Sequence, residues 1–242
     1  MELWGTTNRG VVREENQDAF QIEAFSAQEM FGVVCDGMGG ARAGKVASSM
    51  AVDTFVEQIR SLWADGESRV AEELLLHSAA AANEVVHLKS NNDPACYGMG
   101  TTIVAVYLKE EHATVLNEGD SRAYHITSDT ITQITRDHSL VADLVHRGEL
   151  TPDQARVHPH KNLITRALGA ESELRADIFE LDVRPGEYIV LCSDGLSNVV
   201  SDQEILYEVL FGGPEDECCK RLLDIAITRG APDNVTVVLA KC

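Results

Sequence analysis

Five aspartates stand at the ends of apolar segments that are predicted to be core strands. Asp36 closes the segment M-F-G-V-V-C-D and Asp194 closes Y-I-V-L-C-S-D, and glycine follows each of them. Asp120, Asp233 and Asp18 flank three further apolar segments in the same way. Carboxylates held at a common rim repel one another strongly unless divalent cations neutralise them. Because all-oxygen ligands favour hard ions, the pattern predicts a Mg²⁺ or Mn²⁺ site rather than a zinc site.

Each of these aspartates, taken singly, also has a structural explanation. Asp-Gly is a common turn signal, and aspartate is a favoured residue at helix N-termini. The hypothesis of a metal site therefore depends on the recurrence of the pattern at five strand ends. Gly37 supports it, because a residue without a Cβ lets its backbone carbonyl approach an ion closely.

The amino-acid composition is sufficient for a sizeable hydrophobic core, which can hold the strands and helices that position these residues. Of its 242 residues 44% are hydrophobic and 24% are charged, as is typical of soluble globular proteins. Because no linker-like or repeated segment divides it, we expect a single domain over 1–242. The net charge is −19, from 20 basic and 39 acidic residues. Such a surface repels nucleic acid and anionic lipid, so neither is an expected partner.

Cysteine usage and the N-terminal sequence favour a cytoplasmic protein. The six cysteines lack zinc-like spacing and two of them lie inside apolar segments, so reduced thiols are expected. The first residues, M-E-L-W-G-T-T-N-R-G, contain no basic region followed by an apolar one, unlike a signal peptide. No apolar stretch approaches the ~20 residues that a membrane span needs.

Hydrophobic periodicity predicts an α+β fold. Helical spacing of apolar residues is found over 43–63, 66–89, 202–210 and 215–229, and a partly helical, irregular segment covers 137–169. Segments rich in β-branched residues predict strands at 2–6, 18–24, 30–36, 100–109, 113–118, 122–127, 130–134, 176–181, 187–192 and 234–241. Because these strands outnumber the crossover helices and follow one another like hairpins, antiparallel sheets are favoured over a doubly wound parallel sheet.

Eight segments, in order along the chain, contain the candidate residues and their neighbours. They are R-E-E-N-Q-D (13–18), V-V-C-D-G-M-G-G (33–40), G-M-G-T-T (98–102), N-E-G-D-S-R-A-Y (117–124), T-R-D-H-S-L-V (135–141), H-P-H-K-N-L-I-T-R-A-L-G (158–169), L-C-S-D-G-L-S-N (191–198) and P-D-N-V-T (232–236). Together they resemble the metal-dependent protein phosphatases of the PPM family, the type 2C class, in its bacterial single-domain form. The resemblance implies a four-layer α-β-β-α sandwich of two central antiparallel sheets flanked by helices, with metals in a cleft at one edge.

The same resemblance implies a metal-binding role for five residues. Asp36, Asp194 and Asp233 would bind the first ion, and Asp36 with the carbonyl group of Gly37 would bind the second. Asp120, together with Asp194, matches the ligands of a third ion found in bacterial members. The implied cofactor is Mn²⁺ or Mg²⁺, with two core ions and a third.

Two further residues receive roles from the resemblance. Asp18 would not bind an ion itself but would hold a water molecule that is bound to one. Arg13 would clamp the substrate phosphate, because a guanidinium group binds two phosphate oxygens in a way that lysine cannot reproduce. The alternative for Arg13 is a solvated surface side chain.

The implied reaction is direct attack on a phosphomonoester by a hydroxide that bridges the two core ions. Met38 stands where many family members have a histidine that serves as general acid. The proton for the leaving group must therefore come from elsewhere, and a water on the third ion is the candidate. A flap subdomain at about 138–169, which contains His158 and His160, is implied beside the active site.

The resemblance implies a protein-serine/threonine phosphatase, a hydrolase of signal transduction that acts on phosphoserine and phosphothreonine proteins. Its expected counterpart is a bacterial eukaryotic-like Ser/Thr kinase, and a monomer is the default because no coiled-coil heptads occur. Three alternatives remain: a binding module that has lost catalysis, a hydrolase of small phosphorylated metabolites, and a phosphatase of anti-anti-sigma-type regulators. The complete set of candidate metal ligands disfavours the first, and the lack of room for a sensory domain disfavours the last.

Overall fold

The structure is a computed structural model that describes residues 1–64 and 70–242. The described residues form eleven strands: β1 (Glu2–Asn8), β2 (Asp18–Ser26), β3 (Glu29–Met38), β4 (Gly100–Thr101), β5 (Ile103–Lys109), β6 (His112–Glu118), β7 (Arg122–Ile126), β8 (Ile131–Gln133), β9 (Asp177–Asp182), β10 (Tyr188–Cys192) and β11 (Val235–Lys241). They also form seven α-helices: α1 (Gly40–Ala64), α2 (Ala71–Asn92), α3 (Leu140–His146), α4 (Pro152–Arg156), α5 (Asp194–Ser197), α6 (Asp202–Phe211) and α7 (Cys218–Thr228).

The strands of the described residues build two antiparallel sheets. The first sheet has the strand order β1-β11-β10-β7-β8, and the second has the order β2-β3-β5-β6-β9 with β4 added at the end of β3. Strands that follow each other along the chain pair directly, as in β2-β3, β5-β6 and β7-β8. The predicted α+β class with antiparallel sheets is therefore confirmed.

Three apolar clusters divide the molecule into four layers. Side chains such as Val104, Leu191 and Val238 fill the space between the two sheets. Helices α1 and α2 cover the outer face of the second sheet, where Phe55 belongs to the shared core. Helices α6 and α7 cover the outer face of the first sheet around Leu222. This is the predicted α-β-β-α sandwich.

The sequence pattern explains why these elements form. Strand β5 is buried on both faces, as its continuous run of apolar residues predicts. Helix α1 is amphipathic, and its fully buried residues Ala47, Ala51, Phe55 and Ile59 recur every fourth position, which places them on one face. The predicted helix over 66–89 begins outside the described residues, and its described part extends to Asn92.

The predicted strand 100–109 is divided at Thr102, which lies between β4 and β5. The Thr102 N–H donates to the carbonyl oxygen of Asp36 (2.9 Å), and the Asp36 N–H donates to Thr102 Oγ1 (2.9 Å). Because these bonds replace the regular ladder, β4 pairs instead with the last two residues of β3, which runs to Met38. The short helix α5, which starts at Asp194, was not predicted as a helix.

The segment 138–169 contains two short helices, α3 and α4, in agreement with the prediction of a partly helical region. Both are capped in the usual way, because Ser139 and Thr151 accept hydrogen bonds from the first turns. Isolated bridges join Ser139 to Ile164 and Thr101 to Leu168. The first bridge joins the two ends of the segment to each other, and the second attaches its C-terminal end to β4. Among the described residues, no helix combines the length and apolar character needed to cross a bilayer.

We expect Leu191→Ala to destabilise the fold by about 2–5 kcal/mol, because it leaves a cavity between the sheets where Leu191 is completely buried. Urea unfolding followed by circular dichroism measures the change. Leu88→Ala is the matched control, since Leu88 is 52% exposed and its truncation should cost less than about 0.5 kcal/mol. Equal losses in the two variants would contradict the layered packing.

Candidate functional site

The five candidate aspartates meet at one edge of the sandwich. In the pairing of β2 with β3, Asp18 lies directly opposite Asp36. Strands β10 and β11 are antiparallel neighbours, so Asp194, which follows β10, comes close to Asp233, which precedes β11. The charges of the other four aspartates, including Asp120, all raise the pKa of Asp36, after burial as the main cause. The structure thus brings together the residues that the sequence singled out.

Asp18 is anchored by two hydroxyl groups from the opposite sheet. Its Oδ2 accepts hydrogen bonds from Ser193 Oγ (2.8 Å) and Thr236 Oγ1 (2.6 Å). Its Oδ1 is buried without a partner. These two hydroxyl residues were not among the predicted site residues, although a Ser and a Thr at the ends of otherwise apolar strands are a recognisable signal.

The backbone of Asp36 is fixed by the two adjacent threonines of the G-M-G-T-T segment. Thr101 Oγ1 donates to the Asp36 carbonyl oxygen (2.8 Å), and Thr102 Oγ1 accepts from the Asp36 N–H. Thr102 Oγ1 also shares a buried hydrogen bond with Ser121 Oγ (2.8 Å). Because Ser121 follows Asp120, this bond ties the positions of Asp36 and Asp120 to each other. Sequence reasoning gave these hydroxyl groups no role.

Arg13 reaches the site from the loop between β1 and β2, which Asn234 holds in place. Asn234 Oδ1 accepts from the Gln17 N–H (2.8 Å), and its Nδ2 donates to the carbonyl oxygens of Arg9 (2.9 Å) and Glu15 (3.0 Å). The Arg13 side chain is 52% exposed, and its guanidinium group donates to Asp233 Oδ2 (2.7 Å). Arg13 is therefore paired at the site and open to solvent at the same time.

Gly37 is required by the packing of α1 against the end of β3. A Cβ at Gly37 would lie 2.0 Å from the carbonyl oxygen of Gly44 and 2.8 Å from that of Gln17. Gly195, which follows Asp194, is confined in the same way, 1.8 Å from the carbonyl oxygen of Asn234. Glycine is therefore needed at both positions for close backbone packing, in addition to the predicted approach of the Gly37 carbonyl group to an ion.

Burial and mutual repulsion raise the pKa values of Asp18, Asp36, Asp120 and Asp194. Burial is the largest cause for each, and the charge of a neighbouring aspartate adds to it. The pKa of Asp18 rises to about 7, that of Asp120 to about 8 and that of Asp194 to about 6. Asp36 is raised well above its ordinary value by the same causes. A positive charge bound among these groups would reverse the shifts.

The donor set fits a hard divalent cation. Within the part of the chain that the structure describes, Asp18 Oδ1 and Asp194 Oδ1 are buried oxygens without a hydrogen-bond partner, and the charges that act most strongly on Asp36 are those of the other four aspartates. Within residues 1–64 and 70–242, however, no three His, Cys, Asp or Glu side chains form a group that could hold an ion. Asp233 is instead paired with Arg13. The site therefore has the charge and the oxygen donors that a cation needs, with one carboxylate engaged by arginine.

Comparison with known proteins gives matches over most of the chain. The family model of Protein phosphatase 2C matches residues 8–213. The serine/threonine phosphatase stp of Listeria innocua is 34% identical over 239 residues, which cover 97% of this chain and 93% of the relative. The crystal structure of Stp1 from Staphylococcus aureus has a TM-score of 0.90 and 34% identity, and the match covers 100% of this chain and 94% of that one.

A further solved structure is the catalytic domain of the serine/threonine protein phosphatase PstP, in complex with two manganese ions. It has a TM-score of 0.83 and 33% identity, and the match covers 99% of this chain and 97% of that one. Together with the four-layer fold, these matches define a protein phosphatase. The chain belongs to the protein phosphatase 2C family. The predicted family and the predicted enzyme class, a protein-serine/threonine phosphatase, are thereby confirmed.

We expect the metal-free protein to become less stable as the pH rises through about 7. The pKa of Asp18 is raised from 3.8 to about 7, so the folded state holds a proton that the unfolded chain releases. This stabilising contribution is complete below the unfolded pKa and is lost as the pH passes the folded pKa. Thermal unfolding of chelator-treated protein between these values measures it.

Asp18→Asn is the control for this pH dependence. An asparagine keeps an acceptor oxygen for Ser193 and Thr236 but cannot ionise. Its stability should therefore depend less steeply on pH than that of the parent protein. Parallel pH profiles of the two proteins would show that the burial of Asp18 does not control the dependence.

Proposed function

We propose that the chain hydrolyses phosphoserine and phosphothreonine monoesters in proteins and depends on Mn²⁺ or Mg²⁺ to do so. The observation that supports this most directly is the pair of buried, unpartnered carboxylate oxygens on Asp18 and Asp194, next to an arginine that faces solvent. A cluster of carboxylates alone would repel a phosphate dianion, so a phosphatase built on it needs cations.

Five residues would hold the ions. Asp36, Asp194 and Asp233 would bind the first, and Asp36 with the carbonyl oxygen of Gly37 would bind the second. Asp120 and Asp194 would bind a third. When bound, such ions activate water near neutral pH and withdraw charge from phosphoryl oxygens. The manganese-bound PstP structure supports this choice of cofactor.

Asp18 and Arg13 would act beside the ions. Asp18 is held by Ser193 and Thr236 through one oxygen, which leaves the other free to orient a water molecule by accepting its hydrogen bond. Arg13 would bind two oxygens of the substrate phosphate, because its planar guanidinium group matches them in geometry. Asp233 accepts from Arg13 NH2 (2.7 Å), and a cation bound by Asp233 would release that nitrogen for the phosphate as well.

Met38 cannot donate a proton to the leaving group. Its side chain lies against Gly100, where an added Cβ would be 3.0 Å from Met38 Cε. The leaving oxygen would therefore take its proton from water in the site. This agrees with a third ion near Asp120 as the place where that water is held.

The wider setting follows from the proposed activity. The substrates would be phosphoserine and phosphothreonine proteins, and a Ser/Thr kinase would supply them in a signalling pair. We propose a cytoplasmic monomer in which residues 1–242 form one phosphatase domain and segment 138–169 forms the flap beside the active site. The bridges at Ser139 and Thr101 support this placement of the flap.

The proposal predicts that chelator-treated protein is inactive and that Mn²⁺ restores its activity. Hydrolysis of a phosphothreonine peptide, measured as released phosphate during a Mn²⁺ titration, should rise from background to a plateau. Asp36→Asn is expected to abolish turnover, because Asp36 would be shared by two ions. Turnover by the chelated parent protein, with residual metal excluded by elemental analysis, would contradict the proposal.

Arg13→Ala should raise the KM for the peptide more than it lowers kcat, and Arg13→Lys should not restore the loss. The reason is that the expected contact to two phosphate oxygens needs the planar fork of arginine. Steady-state kinetics at saturating Mn²⁺ measures both constants. Arg9→Ala is the matched control, since Arg9 is an exposed arginine of the same loop. A loss of equal size in the control would assign the effect to loop charge alone.

A further inference from the structure

His138 occupies a buried position directly behind Asp120. Only 5% of its surface is exposed. The Gly119 N–H donates to His138 Nδ1 (3.1 Å), and the His138 N–H donates to the Gly119 carbonyl oxygen (2.8 Å). On the other side of the ring, Nε2 lies 3.0 Å from Asp177 Oδ2. Both polar backbone atoms of Gly119, the residue before Asp120, are thus bound by a single residue, one by the His138 ring and the other by the His138 backbone.

These contacts select one tautomer of the imidazole ring. Because Nδ1 accepts the Gly119 N–H, it carries no proton, and the hydrogen must be on Nε2. Nε2 then donates to Asp177, while Arg166 NH1, 3.3 Å from Nε2, is a second donor that binds Asp177 Oδ1 (3.1 Å). Asp177 therefore holds the ring in the form that can accept from Gly119.

The backbone around Gly119 has little freedom to compensate for a lost contact. Gly119 has φ +121°, a conformation that favours glycine, and a Cβ there would lie 2.6 Å from Thr102. Beyond Asp120, Arg122 forms a bidentate pair with Asp137, with its shortest contact at 2.7 Å. Asp137 precedes His138, so two successive residues fix the chain before and after Asp120.

His138 also belongs to the base of the proposed flap. Its carbonyl oxygen accepts from the Thr165 N–H (2.8 Å), and the next residue, Ser139, forms a bridge with Ile164. The two ends of segment 138–169 therefore meet at His138. The base of the segment and Gly119 are therefore joined directly, by the ring and by the backbone N–H of His138.

We propose that His138 is a positioning residue for Asp120: by accepting the Gly119 N–H through Nδ1, it holds the Asp120 carboxylate where it binds the third cation, and it joins this cation site to the base of segment 138–169. This rests on the proposed function, in which Asp120 and Asp194 bind that ion. His138 touches neither substrate nor ion in this role. It acts through the backbone of Gly119, whose N–H is bound by the His138 ring and whose carbonyl oxygen is bound by the His138 N–H.

The first test uses metal-free parent protein and no activity measurement. Nitrogen chemical shifts of the histidine rings, measured by long-range ¹H–¹⁵N correlation, report which ring nitrogen carries the proton. We expect an unprotonated Nδ1 in His138 and slow hydrogen exchange of the Gly119 amide. A protonated Nδ1, or a Gly119 amide that exchanges as fast as those of exposed loops, would overturn the proposal.

Two substitutions of His138 test its hydrogen bond to Gly119 and its hydrogen bond to Asp177 separately. Asparagine carries an amide oxygen near the position of Nδ1, so His138→Asn can still accept from Gly119 but cannot reach Asp177. Glutamine reaches the position of Nε2, so His138→Gln can donate to Asp177 but leaves the Gly119 N–H unpaired. His146→Gln is the matched control, because His146 is an exposed histidine of the same segment.

Mn²⁺ binding measured by calorimetry is the decisive readout. His138→Gln should weaken the last ion to bind by about tenfold, as loss of an outer hydrogen bond commonly does, and leave the tighter ions unchanged. His138→Asn should bind that ion more tightly than His138→Gln, and His146→Gln should match the parent. Equal weakening of all ions, or equal loss in both His138 variants, would show a merely structural role.

Asp120→Ala distinguishes this inference from the proposed function. It should lack the weakest ion altogether, and His138→Gln should approach it in both ion binding and kcat. If Asp120→Ala binds as many ions as the parent, the third-site assignment fails, and the inference fails with it. If Asp120→Ala loses an ion while His138→Gln keeps normal affinity, only the role of His138 is wrong.

Discussion

Repulsion among buried carboxylates at one edge of the sandwich is the constraint on which the rest of the site depends. Two unit charges 4 Å apart interact by about 4 kcal/mol at an effective dielectric constant of 20, and five such groups meet here. Protonation relieves the repulsion in the absence of ions, which is why the pKa values of Asp18, Asp120 and Asp194 are raised. Divalent cations would relieve it without protonation. The acidic edge therefore destabilises the metal-free protein, and bound divalent cations would remove this destabilisation.

The surrounding structure prevents the carboxylates from moving apart. Asp18 is bonded across the sandwich to Ser193 and Thr236, so the two sheets cannot separate at this edge without breaking its bonds. The threonine pair behind Asp36 links it through Ser121 to the Asp120 loop. These neutral hydroxyl and amide groups fix the acidic residues without adding charge, so the demand for cations is retained.

Arg13 is the exposed counterpart of this buried arrangement. Its pairing with Asp233 supplies one positive charge to the edge, and the hydrogen bond that Arg13 donates to Asp233 is the main reason that the pKa of Arg13 is raised. Because the loop that carries Arg13 is held by Asn234, the residue that follows Asp233, the arginine and the carboxylate stay close whether or not they are paired. A phosphate group would meet the arginine from the solvent side.

Much of this protein could be predicted from the amino-acid sequence. Segments rich in apolar and β-branched residues indicated most of the strands, and the recurrence of aspartate at their ends singled out five acidic residues that do meet in space. The eight motifs identified the family, which the comparisons confirmed. These features depend on local pattern and on residue type, both of which can be observed in the amino-acid sequence alone.

Other features were decided only by the tertiary structure, because they depend on residues far apart in sequence. The bond from Thr236 to Asp18 joins positions 218 residues apart, and no local pattern predicts it. The division of strand 100–109 at Thr102 follows from contact with Asp36, not from the intrinsic preference of that segment. The pairing of Arg13 with Asp233 and the ring orientation of His138 likewise depend on which groups the fold brings within hydrogen-bonding distance. The sequence determined which chemistry was present, and the packing of the sheets determined how its groups are oriented.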